Sequence, residues 1–370
     1  MVNSVLVETS QSFLPDYATP PGWTIADSLE HIGMSRVEFA GRMDLTTKTV
    51  SEILNGKAPL SFDTACKLSR VLGSTPQFWS NLEFNYRYHL EKAKEKLLET
   101  EKADWVHKFP FKQMVERGWI KEYEHIHQVY QALLAFFGVS SMGAWSSIYG
   151  ETTAVYRMAK LYEPDSYALA AWLRQGERVA ETITCSPFDR AMFASRIPKL
   201  RLLTKLPPES FVPEMTKLCR ECGVAVAFVP ELPKTGVSGA TRWLSPHKAL
   251  IQLNLRYRRD DALWFSFFHE CAHVLRHNKT DYYFSGSNKD DTCRDMEAEA
   301  NRFAAEVLIP NSDYTRFVRE TTSFNGDTIE QFASNQGISA GIVVGRLQHD
   351  GKLNWKTRLN SYKRILAWKT

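Results

Sequence analysis

Residues 264–277 read WFSFFHECAHVLRH, and the reading of the chain turns on them. Apolar, helix-compatible residues flank the core His269-Glu270-Cys271-Ala272-His273, so a helix is predicted through it. On a helix of 3.6 residues per turn, positions four apart lie about 40° apart on one face. His269 and His273 can therefore grip one ion together, with Glu270 beside it. Hydrolytic zinc sites need that set: two neutral imidazoles, a third ligand from elsewhere, an open position for water, and a carboxylate to take the water's proton.

The third ligand is sought downstream. The stretch 295–310, DMEAEANRFAAEVLIP, reads as a helix stopped by Pro310 and offers Glu297 and Glu299. These lie about 200° apart on a helix, so only one faces the ion. Glu297 is preferred, because Asn301 falls one turn later on the same face and can support a ligand histidine by a hydrogen bond. Glu299 stays as the alternative. His277, Tyr282 and Tyr283 are candidate oxyanion donors. Just upstream, VAVAFVPEL (224–232) and ALIQLNL (249–255) are rich in β-formers and mark a small sheet. Residues Ala249 to Asn254 are expected to form an edge strand able to pair with an extended substrate.

Farther out, the chain is of ordinary globular composition: 370 residues, 44% hydrophobic, 24% charged, net charge +4. Weak basicity permits nucleic-acid binding without arguing for it, since local arrangement of Lys and Arg attracts phosphate. The N-terminal sequence has no basic start followed by an apolar run, and no stretch of about 18 uninterrupted apolar residues follows. The expectation is a cytoplasmic protein that does not engage a membrane. Six cysteines scattered over the chain are expected to be reduced. Cys219 and Cys222 form a lone CxxC, read as two thiols on a half-buried helix.

Composition shifts divide the chain into a tail (1–22), a compact five-helix unit (23–87), a charge-rich connecting helix with further helices (88–206), a catalytic region (207–320) and a basic extension (321–370). The fold class expected is mainly α with a small β-sheet (α+β). FPFKQMVERGWI, VYQALLAFFGV and YALAAWLRQGERVAETI each show helical spacing of apolar groups. In the extension, Ile342, Val343, Leu347, Leu353 and Trp355 are read as packing residues of a docked helical segment.

HECAHVLRH followed by EAEANRFAAEVLIP resembles the ImmA/IrrE family of metallopeptidases, over roughly Val224 to Pro310. The resemblance implies that His269, His273 and Glu297 ligate zinc and that Glu270 is the general base, and it matches His277 to the family's third histidine. Cys271-Ala272 replaces the family's usual Leu-Gly, away from the metal face.

MSRVEFAGRMDLTTKTVSEILNGKAPLSFDTACKLSRVLG (34–73) resembles a Cro/CI-type helix-turn-helix, with Ser35 to Met43 and Thr47 to Asn55 as its two helices. Thr46 or Thr47 can cap the second, whose amino end enters the major groove in this fold. Arg36, Thr47, Lys48, Thr49, Ser51, Asn55 and Lys57 are the candidate contacts to double-stranded DNA. Ala40 marks the helix crossing, and Val50, Ile53 and Leu54 are assigned to the core. The wider segment from Pro20 to Arg87 is similar to HigA-like antitoxins, which implies an operator and, in many members, a toxin partner; a homodimer is expected because half-sites one turn apart double the DNA contacts. Two readings follow. One is a DNA-binding regulator whose metallopeptidase domain cleaves a partner protein. The other is a non-catalytic repressor that binds a partner and uses zinc structurally.

Overall fold

The computed structural model describes residues 19–97, 99–150, 165–277 and 289–368. The chain divides into two compact units, the boundary falling between Lys102 and Ala103.

The first unit consists of five helices, α1 (Pro21–His31), α2 (Arg36–Met43), α3 (Thr47–Leu54), α4 (Phe62–Leu72) and α5 (Pro76–Leu97). Its boundaries follow from capping chemistry. Ser35, Thr46 and Ser61 each accept a hydrogen bond from a backbone N–H in the first turn of the helix that follows. Asp44 ends α2 in the left-handed conformation. Ile25, Phe39, Ala40, Val50, Ile53, Leu54, Leu68 and Trp79 make the core. The Trp79 indole N–H is satisfied by the Gly73 carbonyl at 3.1 Å.

The second unit is built on three strands: β1 (Val224–Phe228), β2 (Gly239–Ser245) and β3 (Lys248–Leu253). Their order is β1-β3-β2, with β1 parallel and β2 antiparallel to β3. Residues Ala249 to Asn254 are therefore not an edge: β3 is the central strand, hydrogen-bonded on both sides. The parallel partner β1 arrives by a crossover that the composition of β3 does not announce. ALIQLNL is buried almost without alternation, as a strand covered on both faces must be. The edge beside the candidate site is β2, a strand whose short GATRWLS sequence carries little β signal.

Both faces are covered by helices. They are α6 (Glu99–His107), α7 (Phe111–Glu116), α8 (Ile126–Phe137), α9 (Met142–Trp145), α10 (Ser166–Glu181), α11 (Arg190–Leu202), α12 (Pro208–Arg220), α13 (Asp260–Arg276), α14 (Lys289–Leu308), α15 (Asn311–Glu320), α16 (Gly326–Gln336) and α17 (Ala340–His349). Strand alternation sorts the cores. Val224, Val226, Ile251 and Leu253 face a cluster with Trp264, Phe267 and Phe268 of α13, whereas Ala225, Ala227 and Leu250 face Trp172 and the aromatics of α8 and α9. α10 lies close against β3 at Gly176, where a Cβ would stand 1.8 Å from the Gln252 Oε1. Only glycine leaves room there for Gln252, whose Nε2 donates to the Trp172 carbonyl at 2.7 Å.

Residues Ile126–Gly150 are apolar enough by length and mean hydropathy (1.3) to cross a membrane. About a third of its apolar stretch is buried in packing. The helix stops at Gly138 in the left-handed conformation, Ser141 caps a new start, and Val129, Leu133, Phe137 and Trp145 lie in the aromatic core.

The C-terminal extension docks as helices, with Ile342, Val343 and Leu347 buried. Trp355, expected inside, is instead 65% exposed. Residues beyond it return to the start of α13. Arg364 N–H donates to the Asp260 carboxylate, Asp260 N–H to the Arg364 carbonyl, and Arg259 bridges to Ile365. This strap fixes the entry of α13. α12 buries one face, and Cys219 on it and Cys222 just past its end are both fully buried; burial pushes the Cys219 thiol well above its usual range.

Candidate metal centre

α13 presents two faces at helical spacing. Leu263, Trp264, Phe267, Phe268, Cys271 and Val274 enter the core, which turns His269 and His273 toward α14, packed alongside. The two imidazole Nε2 atoms stand 3.0 Å apart. Glu297 on α14 brings Oε2 to 3.3 Å from the first and Oε1 to 3.4 Å from the second. Ligands 2.0–2.1 Å from a single tetrahedral ion stand about 3.3 Å from one another. The three side chains thus have the spacing of one ion's coordination triangle.

The proton count agrees. His269 Nδ1 is 3.0 Å from the Asn301 amide oxygen, so Nδ1 carries the proton and the neutral ring keeps its lone pair on Nε2. Two lone pairs and a carboxylate then converge, an arrangement that a cation at the centre resolves. Without a bound cation the same three groups settle by protonating the rings: burial pushes the Glu297 carboxyl upward, but hydrogen bonds and charge from protonated His269 and His273 outweigh it and hold the group below the usual carboxylate range. The residues present fit a zinc-like ion.

Glu299 turns elsewhere. Its Oε1 accepts from Arg276 at 2.8 Å and its Oε2 lies 3.4 Å from His277 Nε2. His277 in turn places Nδ1 2.8 Å from His273 Nδ1. Tyr282 and Tyr283 lie outside the described residues.

Glu270 is 6% exposed, and its Oε2 accepts from the Thr241 hydroxyl at 2.8 Å. A Cβ on Gly239 would come within 2.7 Å of its Oε1, so β2 approaches the carboxylate through a residue that has no side chain. Neither Gly239 nor Thr241 is suggested by local sequence; both act through a tertiary contact.

His269, Glu270 and Glu297 open into a cleft of about 860 Å³, lined also by Gly239, Tyr257, Phe265, Ile309 and Trp355. Tyr257 and Trp355 are exposed there. The volume is that of a site for an extended ligand rather than a single small ion.

In the first unit, Arg36, Thr47, Lys48, Ser51, Asn55 and Lys57 are exposed and Thr49 is half-buried. Thr46, not Thr47, is the cap of α3, accepting from Thr49 N–H at 3.1 Å. The Asn55 amide is engaged at the helix end, donating to the Ser51 carbonyl at 2.8 Å. Lys48 approaches Glu52 at 4.0 Å and remains 85% exposed.

Fold and site together define a helix-turn-helix module joined to a domain of metallopeptidase type. Residues 25–79 match the helix-turn-helix family and residues 227–348 match the IrrE N-terminal-like domain of the M78 peptidases. The chain belongs to the helix-turn-helix regulators through its first unit and carries an IrrE-like peptidase domain in its second. The first unit is 46% identical over 63 residues to the HTH-type transcriptional regulator YddM of Escherichia coli, covering 17% of this chain and 67% of that protein. It is 38% identical over 55 residues to the antitoxin HigA-1 of Vibrio cholerae, covering 15% and 51%. The chain thus spans two thirds of the first of these relatives and half of the second. A structure of an addiction module antidote protein of a HigA family from Coxiella burnetii is 34% identical, covering 23% of this chain and 94% of that one, with a TM-score of 0.21.

Proposed function

We propose that the protein is a cytoplasmic DNA-binding regulator whose second unit is a zinc-dependent endopeptidase acting on a partner protein. The observation that carries the enzymatic half is the triangle of His269, His273 and Glu297 with a buried carboxylate, Glu270, at the same cleft.

In this reading His269, His273 and Glu297 hold the zinc. When bound, the ion supplies Lewis acidity, polarising the scissile carbonyl and acidifying water. Glu270, oriented by the Thr241 hydroxyl, takes the proton from the attacking water as the new C–O bond forms. It delivers that proton to the amine as the C–N bond breaks. The outer edge of β2 offers backbone groups to an extended substrate, and the apolar cleft wall receives side chains. His269 keeps its orientation through Asn301.

The DNA-binding half is supported by the helix-turn-helix match and by the exposed amino end of α3. Thr47, Lys48 and Ser51 are assigned to base or phosphate contact there, with Arg36, Asn55 and Lys57 flanking. Similarity to the HigA-1 antitoxin supports an operator and a toxin partner. A homodimer doubles the phosphate contacts.

One experiment separates this from a structural role for zinc. Purified wild type and Glu270→Gln are compared for zinc content, for cleavage of a mixed peptide library, and for retention on the promoter DNA of the protein's own gene. The expected result is equal zinc, equal DNA retention, and a fall in cleavage of at least about 100-fold in the variant. Equal cleavage in both, or none in either, favours the non-catalytic repressor with a structural ion.

A further inference from the structure

A second carboxylate stands behind the candidate centre, and the contacts that reach it run in series. His273 Nδ1 is 2.8 Å from His277 Nδ1, and His277 Nε2 is 3.4 Å from Glu299 Oε2. The His277 side chain is 5% exposed, and the other Glu299 oxygen is paired with Arg276 at 2.8 Å. Only one proton can sit between the two Nδ1 atoms. If His277 supplied it, its Nε2 lone pair would lie 3.4 Å from the Glu299 carboxylate, two acceptors opposed. With the proton on His273, His277 Nδ1 accepts and the His277 Nε2–H lies beside the carboxylate, a charge contact at 3.4 Å rather than an aligned hydrogen bond.

We infer that Glu299 and His277 are positioning residues, a carboxylate–imidazole relay that holds His273 in the Nδ1–H tautomer with its Nε2 lone pair directed at the metal position. The inference rests on the zinc reading of His269, His273 and Glu297. His269 obtains the same tautomer from one neutral amide, Asn301. His273 obtains it from an anion acting through a second ring. Carboxylate-backed imidazoles are more basic and better oriented than free ones, and loss of such partners weakens metal binding by about 10- to 100-fold. The two glutamates of the Glu-Ala-Glu sequence, facing apart on α14, thus serve neighbouring layers of the same centre. Glu297 meets the ion and Glu299 meets the ring behind it.

The test is zinc affinity, read by competition with a chromophoric chelator, in wild type, Glu299→Ala, His277→Phe, the double variant and Arg276→Met. Thermal melts of the metal-free proteins check that each is folded. A nitrogen-15 spectrum of the His273 ring reports its tautomer. The relay predicts that Glu299→Ala and His277→Phe each weaken binding by about tenfold or more. It predicts that the double variant binds no worse than His277→Phe alone, as members of one chain behave. His273 should lose its single Nδ1–H tautomer in both single variants, while Arg276→Met, which leaves the His277 contact in place, changes affinity less than about threefold. Affinities within about twofold of wild type in both single variants overturn the relay and leave the zinc centre standing. Equal losses in Arg276→Met and Glu299→Ala also overturn it, because Glu299 would then serve only to pin α14 to α13. Wild type that binds no zinc overturns the centre and the relay together.

Discussion

Gly239 opens β2 directly against the Glu270 carboxylate, where an added Cβ would meet Oε1 at 2.7 Å and Cγ at 2.9 Å. Both are side-chain atoms, so Gly239→Ala displaces the glutamate more readily than the strand. The variant is expected to lose at least about tenfold in peptide cleavage, since a base moved by a fraction of an ångström no longer meets its proton. Zinc content and melting temperature should stay near wild type. Full activity in Gly239→Ala would show that the position of Glu270 is not set by this contact. At this scale the sequence carried much of the centre. His269, Glu270 and His273 are legible because helix spacing alone brings them together. Glu297 was favoured over Glu299 by a one-turn argument through Asn301, and Asn301 does bond His269. Gly239, Thr241 and Trp355 were not legible, because each meets the cleft through an element distant in sequence.

The pairing of α13 with α14 depends on how the ends of the helices behind them are held. Arg201, near the end of α11, donates from Nε and Nη2 to the Leu308 carbonyl at 3.2 and 3.0 Å, and from Nη1 to the Gln336 carbonyl at 2.6 Å. These are the last carbonyls of α14 and α16, groups that a helix leaves unsatisfied. Arg201→Met keeps most of the packing stem and removes all the donors, so the second unit should lose about 2 kcal/mol. Urea unfolding followed by tryptophan fluorescence should show the lower midpoint, and an unchanged midpoint would mean that water replaces the guanidinium without cost. Element by element, the helices were readable from apolar periodicity, and the start of α3 from a threonine cap that the structure puts at Thr46. The sheet was readable as far as its two hydrophobic strands. Their order was not, because β1 and β3 are both buried runs and strand neighbours are chosen by the crossover rather than by composition. The same cause made β3 look like an edge.

For the molecule as a whole, two kinds of chemistry share one chain, and each unit has its own core. The first presents small polar and basic residues at the start of α3. The second gathers three side chains that could hold a metal ion, two of which line a cleft roomy enough for a peptide. The C-terminal strap matters at this scale, since Arg364 meets Asp260 and also donates to the carbonyls of Thr204, Lys205 and Leu206. Through it residues 364–366, in a basic segment readable as helical but not as a strap, fix where the helix of His269 and His273 begins. The claim on which the rest depends is that His269, His273 and Glu297 bind zinc. Elemental analysis of zinc-reconstituted protein, purified without a histidine tag, tests it in wild type, Glu297→Gln and Glu299→Gln. The account predicts close to one zinc per chain in wild type and in Glu299→Gln, and its loss in Glu297→Gln. No zinc in wild type, or full zinc in Glu297→Gln with loss in Glu299→Gln, would contradict it.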